Sequence, residues 1–440
     1  MFKHAFPEEI GFDKKGAAVS IILVVNAFIW YFYAFDFLMG VVKEATPSSL
    51  TILGITLLGI AGSAILGTFL IERFKRRMSF LLCWMFAGVF LSLTPFVVEV
   101  TGLSGLLVIS ATLGVYFGLG MPVCMGYYAA ATKVGNRSRI SGITFLLVGV
   151  GFLLLKSIPI NDIMFSSLIL AAWRAVGLVS LFFLKPDEKQ IAEKDSVSYR
   201  FVFRNRPFLL YFVPWVMFAL VNYVAGPVIN KLFPENFVFY AVIIENVLSG
   251  LFALICGFFA DSLGRKRLAV MGFALLGLGY AILGISPGNF TGLWFYTAVD
   301  GIAWGAFYTI FLLTVWGDLA QEKSSEKYYA IGSLPFIFSI FVNLSIGSYV
   351  NTEVPQSAIF SFASVFLFLA VLPLIYAPET LPEKIMKERE LKIYLEKAQK
   401  EVEKAHKKET EKPQSKDGDD VEIETNTDLE EFLKEAEKCY

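Results

Sequence analysis

Histidine is almost missing from this chain. The 440 residues hold two, His4 and His406, and both lie outside the long apolar stretches. A buried histidine proton relay, a Ser–His pair and histidine metal ligands are therefore excluded from the apolar part. Cysteine is scarce too. Cys83, Cys124 and Cys256 fall singly in apolar runs and Cys439 lies near the end, with no CxxC spacing, so neither a disulfide framework nor a zinc site is expected. No GxxxxGK[ST] loop occurs, which argues against ATP as the direct energy source. Charge is sparse where it matters. Of 38 Lys/Arg and 39 Asp/Glu, 13 and 19 lie from Pro378 onward, leaving a charge-poor, slightly basic body and an acidic tail. Nothing in that body offers a basic face to nucleic acid. No small-residue cleavage site follows the first apolar run, which is expected to stay as a helix.

What the chain has is hydrocarbon. It is 56% hydrophobic with mean hydropathy +0.61. About 20 apolar residues span a bilayer core as a helix, and such runs recur at Ala17–Val42, Ser48–Ile71, Met78–Val98, Leu103–Ala131, Ile140–Ile158 and Ile163–Leu184. They resume at Pro207–Lys231, Asn236–Asp261, Leu268–Ile285, Thr291–Gly317, Tyr328–Val350 and Ser357–Ala377. Glycine and proline inside them are tolerated, because neighbouring helices re-satisfy freed backbone groups. The connections after even-numbered runs hold 18 Lys/Arg, against three (Lys43, Lys156, Lys231) in or beside the others. Under the positive-inside rule this places both termini in the cytoplasm.

The chain also repeats itself. Sliding it by 190 residues sets Gly67 on Gly257, Gly142 on Gly332 and the first basic loop on Leu263–Arg267. Two six-helix halves of the same orientation are expected, related by an axis along the membrane normal. The predicted architecture is an all-α integral membrane protein of twelve transmembrane helices in two pseudo-symmetric six-helix bundles, over 1–190 and 191–380. A charged cytoplasmic tail, 381–440, follows, with a helical stretch and a polar, disordered one.

Between the eighth and ninth runs stands Gly257-Phe-Phe-Ala-Asp261-Ser-Leu-Gly264-Arg265-Lys266-Arg267. This resembles the cytoplasmic signature loop of the major facilitator superfamily, Gly-x-x-x-Asp-x-x-Gly-Arg-Arg/Lys-Arg/Lys. The first half carries a degraded copy from Gly67 to Arg77, with Ile71 in place of the Asp, Phe74 in place of the second Gly, and Glu72 beside them. Pro378-Glu379-Thr380 resembles the end of the sugar-porter branch, although Leu381-Pro382 departs from it. The resemblance implies a latch that breaks as the halves rock. Its members are Gly257, Asp261, Gly264, Arg265 and Arg267, with Glu72 and Arg73 in the degraded loop. Asp261 is expected to face the start of helix 5, near Arg137 and Arg139, where a carboxylate gains from the helix dipole.

Charges inside hydrocarbon are costly and each demands a reason. Asp36, Glu245 and Asp300 are the candidates for proton coupling. Arg174 in the sixth run is expected to sit in a structural ion pair. The family fold implies a central cavity walled by helices 1, 4, 7 and 10. Its candidate lining is Asn26, Trp30, Tyr33, Tyr116, Trp215, Asn222, Tyr223, Trp304 and Tyr308, whose aromatic faces and amides suit a sugar or a flat organic molecule. A helix 1 Asp paired with a helix 4 Arg, as in proton-coupled sugar porters, does not carry over, because that run has no arginine.

The resemblance thus implies a secondary active transporter, not an enzyme, with no cofactor and no metal. It is expected as a monomer in the plasma membrane, moving a sugar or similar metabolite with a proton or other coupling ion. Efflux of drugs or amphipathic solutes by the same fold, or a transporter-derived sensor or scaffold, are the alternatives.

Overall fold

In the computed structural model the described residues are 14–44, 49–74, 76–98, 102–158, 162–184, 195–232, 235–321, 323–382 and Lys387. The predicted tail helix and disordered stretch lie outside them. No strand occurs among the described residues.

The first bundle is α1 (Lys14–Glu44), α2 (Ser49–Phe74), α3 (Arg77–Leu91), α4 (Leu103–Ala131), α5 (Arg137–Lys156) and α6 (Ile163–Leu184). A short helix, Tyr199–Arg204, capped by the Ser198 hydroxyl, leads into the second bundle. That comprises α7 (Arg206–Leu232), α8 (Glu235–Leu263), α9 (Arg265–Ile285), α10 (Phe290–Phe307), α11 (Glu326–Glu353) and α12 (Gln356–Tyr376). Eleven helices are long and apolar enough to cross a membrane among the described residues. α11 also spans 28 residues. Many large apolar side chains on the outer helix faces are exposed, as expected where lipid is the solvent.

Helices pack by small residues, since lipid gives no hydrophobic drive between them. A Cβ on Gly67 would stand 2.0 Å from the Leu119 carbonyl, and one on Gly118 2.2 Å from that of Ile60, so α2 and α4 nearly touch backbone to backbone. Among the described residues the two bundles meet along α5 with α8 and along α2 with α11, and α5 also packs on the segment that continues α10. Under the 190-residue shift the first two are equivalent pairs.

Beyond Phe307, α10 continues as a π-helical turn, Tyr308–Thr314, and then Val315–Ala320. Hydroxyls satisfy its displaced carbonyls. The Thr309 carbonyl accepts from Ser141 Oγ (3.0 Å) and Thr314 Oγ1 (2.7 Å), and Thr309 Oγ1 donates to the Ala253 carbonyl (3.0 Å). Such turns concentrate at functional positions.

Candidate functional site

The basic connections gather at one end of the bundles, and there the two halves are sealed. Asp261, at the end of α8, is fully buried. Its carboxylate accepts the backbone N–H groups of Ser138 (3.3 Å) and Arg139 (3.0 Å) in the first turn of α5. Arg265 Nη2 lies 3.0 Å away and Arg139 Nε 3.6 Å. Two free helix N–H groups and two guanidiniums thus converge on one carboxylate, which stabilises its ionised form despite burial. Arg265 also reaches Asp318 (3.2 Å) and the Val134 carbonyl, and Arg137 pairs with Asp318 from the first bundle. Arg137 is held by Thr132 Oγ1 (3.1 Å) and the Ala129 carbonyl (2.7 Å).

Gly264 turns the chain between α8 and α9 with φ +100°, a left-handed conformation that glycine adopts without strain. The Glu379 carboxylate lies 2.4 Å from where its Cβ would be, and accepts the N–H groups of Arg265 (2.8 Å) and Lys266 (3.1 Å). The Pro-Glu-Thr end therefore caps α9, and Thr380 Oγ1 donates to Asp318 (3.2 Å). Arg267 and Arg73 are exposed.

At the second seam Arg77 Nε lies 2.6 Å from Glu326, and Lys327 Nζ 2.7 Å from Glu72. Lys327 also donates to the Val197 carbonyl of the inter-bundle segment (2.8 Å). Tyr199 there shares a 2.7 Å hydroxyl hydrogen bond with Thr68, and burial pushes its phenol above the ordinary value.

Asp318, Glu326, Lys327 and Glu379 were not singled out from the sequence as contacts. A signal was present for two of them: the 190-residue shift lays Glu326 and Lys327 on Asn136 and Arg137. Nothing local marks Asp318, which gains its role from tertiary proximity.

Behind this seal lies a cavity of about 290 Å³ between the bundles. Phe28, Tyr31 and Phe32 of α1 and Phe117 and Met121 of α4 line one side. Asn222 and Tyr223 of α7, Trp304 and Tyr308 of α10 with its π turn, and Ser333 and Phe336 of α11 line the other. Asn222, Tyr223, Trp304 and Tyr308 are thus brought together on its wall.

Asn26, Trp30, Tyr33, Tyr116 and Trp215 do not line it. Each shares a helix with the cavity wall but points from another face of that helix. Trp215 stacks on Phe311 (4.8 Å) and donates to the Gly332 carbonyl (2.9 Å). Tyr33 is buried beside Ser166 and Asp36. Asn26, Trp30 and Tyr116 instead surround Arg174. Its Nε donates to Tyr116 Oη (2.7 Å), its Nη1 to Asn26 Oδ1 (2.5 Å), and its guanidinium lies 4.3 Å from the Trp84 ring centre. The expected ion pair at Arg174 is therefore corrected: among the described residues no carboxylate reaches it, and aromatic faces and an amide take that place.

The three candidate coupling carboxylates part company. Asp36 is half exposed and pairs with Lys156 of α5 within the first bundle, outside the cavity wall. Glu245 and Asp300 lie near each other where α8 packs on α10. Gly301 permits it, since a Cβ there would stand 3.3 Å from Glu245 Cα. Tyr280 and Tyr296 lie beside them with hydroxyls 3.2 Å apart, and Tyr308, which lines the cavity, is near both carboxyls. Asp300 Oδ1 is buried with no hydrogen-bond partner.

A family model described as Major Facilitator Superfamily matches residues 237–411. No curated protein matches the chain by sequence. Solved structures do. The Escherichia coli fucose:proton symporter FucP superposes with a TM-score of 0.66 at 11% identity, over 82% of this chain and 98% of that one. The human organic anion transporter MFSD10 (TETRAN) gives 0.60 at 13% identity, over 82% and 99%.

Proposed function

The chain carries the major facilitator superfamily transporter fold, and on that premise we propose that it is a secondary active transporter. It moves a small organic solute by alternating access, the two bundles rocking about the central cavity. The reading rests above all on one observation: a cavity shared by both halves is closed at one end by ion pairs, helix-end contacts and glycine packing that cross between them. Contacts of that kind re-form in water when broken, which a permanent structural seal would not need. The basic end is the cytoplasmic one by the positive-inside rule, and the membrane is the plasma membrane.

Coupling is to protons through Glu245 and Asp300. Asp300 is buried and Glu245 half-buried where α8 packs on α10, neither has a basic partner among the described residues, and one proton taken up between them would relieve their mutual repulsion. Asp36 is a poorer carrier, because Lys156 already neutralises it in the open. Of the two solute classes, the Pro-Glu-Thr end supports a sugar or similar metabolite. The apolar, aromatic cavity lining supports an amphipathic solute and is the stronger argument.

The test uses spin-label pairs across the halves in proteoliposomes: Phe74→Cys with Leu263→Cys at the basic end, and Leu103→Cys with Ile285→Cys at the other. All four positions are exposed. Two populations are expected, in which one distance lengthens as the other shortens. A pH change shifts their ratio in the parent and no longer does so in Glu245→Gln/Asp300→Asn. A single fixed distance at both ends would sink the transport reading; a pH response that survives the double substitution would sink the coupling assignment alone.

A further inference from the structure

We infer that the central cavity selects an uncharged molecule built on a planar ring system with one or two hydrogen-bonding groups at its rim; this rests on the transport reading and specifies its solute.

The argument starts from charge. Among the described residues lining the cavity none is ionisable at neutral pH. A carboxylate or ammonium entering it would shed water with nothing of opposite sign to meet it. Next come the walls. Tyr31 stacks on Phe117 with ring centres 4.0 Å apart and planes 18° from parallel. Across the cavity Trp304 and Phe336 lie 16° from parallel, and Tyr308 stacks on Phe145 at 14°. Flat aromatic faces from both bundles present a slot for another ring.

The polar complement is small and unspent. Tyr329 Oη already donates to the Leu313 carbonyl (2.5 Å) and Ser333 Oγ to that of Ala330 (2.8 Å). The hydroxyls of Tyr31, Tyr223 and Tyr308 and the Asn222 amide make no hydrogen bond among the described residues. The phenols of Tyr31, from α1, and Tyr308, from the π turn, each lie near that of Tyr223, from α7. They are donors and acceptors waiting at the rim. A pyranose bears a hydroxyl on most ring carbons, each needing a replacement for lost water; this set is too sparse for it. Because Tyr31 belongs to one bundle and Tyr223 and Tyr308 to the other, a solute held by all three bridges the halves.

Binding to the purified full-length protein is measured by titration calorimetry with matched probes: 2-naphthamide, 2-naphthoate, 2-(aminomethyl)naphthalene and L-fucose. The amide is expected to bind at least tenfold more tightly than either charged probe and than the sugar. Tyr223→Phe and Tyr308→Phe each keep the ring and are expected to weaken the amide several-fold without moving the thermal midpoint. Ser333→Lys, which sets a cation in the slot, is expected to turn the preference toward naphthoate. Equal or tighter binding of a charged probe or of fucose to the parent overturns the inference, as does absence of binding by 2-naphthamide, or a Ser333→Lys protein that folds and keeps the parent's ranking. Binding in detergent does not depend on rocking, so its failure and that of the spin-label experiment remain separate results.

Discussion

The two seams between the bundles are equivalent by the internal repeat and opposite in construction. Along α5 and α8 the backbones meet. A Cβ on Gly142 would stand 2.4 Å from the Ala253 carbonyl, and one on Gly257 2.6 Å from that of Ser138 and 3.1 Å from Gly142 Cα. Along α2 and α11 the matching glycines face inward instead, Gly67 against Leu119 and Gly332 against the Trp316 indole. That seam is held at its basic end by side chains, Arg77 with Glu326 and Lys327 with Glu72. One seam is a close-packed line with a fully buried carboxylate at its foot. The other is a clasp of long side chains, with Glu326 and Lys327 buried and Arg77 and Glu72 partly exposed. The loss of the family carboxylate at Ile71 accompanies this difference: where Asp261 reaches a helix N-terminus, Ile71 packs into the core, and Glu72 takes a lysine.

The comparison can be broken by substitution. Asp261→Ala is expected to have the largest effect. It strands Arg265, Arg139 and two N–H groups of α5, and breaking a buried pair costs about 3–5 kcal/mol. A fall in thermal midpoint together with a lengthened Phe74→Cys/Leu263→Cys distance checks it. Gly142→Ala should follow, at about 1–3 kcal/mol for overpacking. By contrast Gly62→Ala on α2, where nothing lies within 4 Å of the added Cβ, should leave the midpoint within about 0.5 kcal/mol. Glu326→Gln sharpens the contrast from the other side. Glu326 is buried but its Arg77 partner is partly exposed and Gln keeps a hydrogen-bonding side chain there, so about 1–3 kcal/mol is expected. A loss equal to that of Asp261→Ala would mean that the clasp carries as much as the packed seam. Among the charged positions the smallest effect belongs to Asp36→Asn, about 0–1 kcal/mol, because its pair with Lys156 is exposed and lies within one bundle.

Much of the fold is legible in composition. Twelve apolar runs with alternating basic connections admit few arrangements, and helix limits from hydropathy lie within a few residues of the structure in most cases. Helix 1 begins three residues earlier than its apolar run because Lys14–Gly16 continue the helix beyond the hydrocarbon. Site residues were legible only in part, since membership of a cavity-lining helix does not say which face a residue occupies. Tyr31 is the instructive miss: it lines the cavity, while its neighbours Trp30 and Tyr33, chosen from the same stretch, turn away. A hydropathy pattern has no strong moment in a helix that is apolar all round, so nothing in the sequence orients α1. Arg174 was misjudged for a related reason. A lone cation suggests an ion pair, but a cage of Trp84, Tyr116 and Asn26 depends on four helices meeting.

The π turn in α10 joins two parts of the molecule described separately. Tyr308, which opens it, faces the solute slot; Asp318, a few residues beyond it, receives Arg137 and Arg265 at the sealed end. In an unbroken α-helix each residue advances by about 100°, so angular position is fixed by count alone. A wider turn resets that phase. Were it wound back to regular geometry, Asp318 would swing to a different bearing relative to Tyr308 and face away from its arginines. The helix thus works as an indexed shaft, on which the setting of one gear is readable from the position of the other.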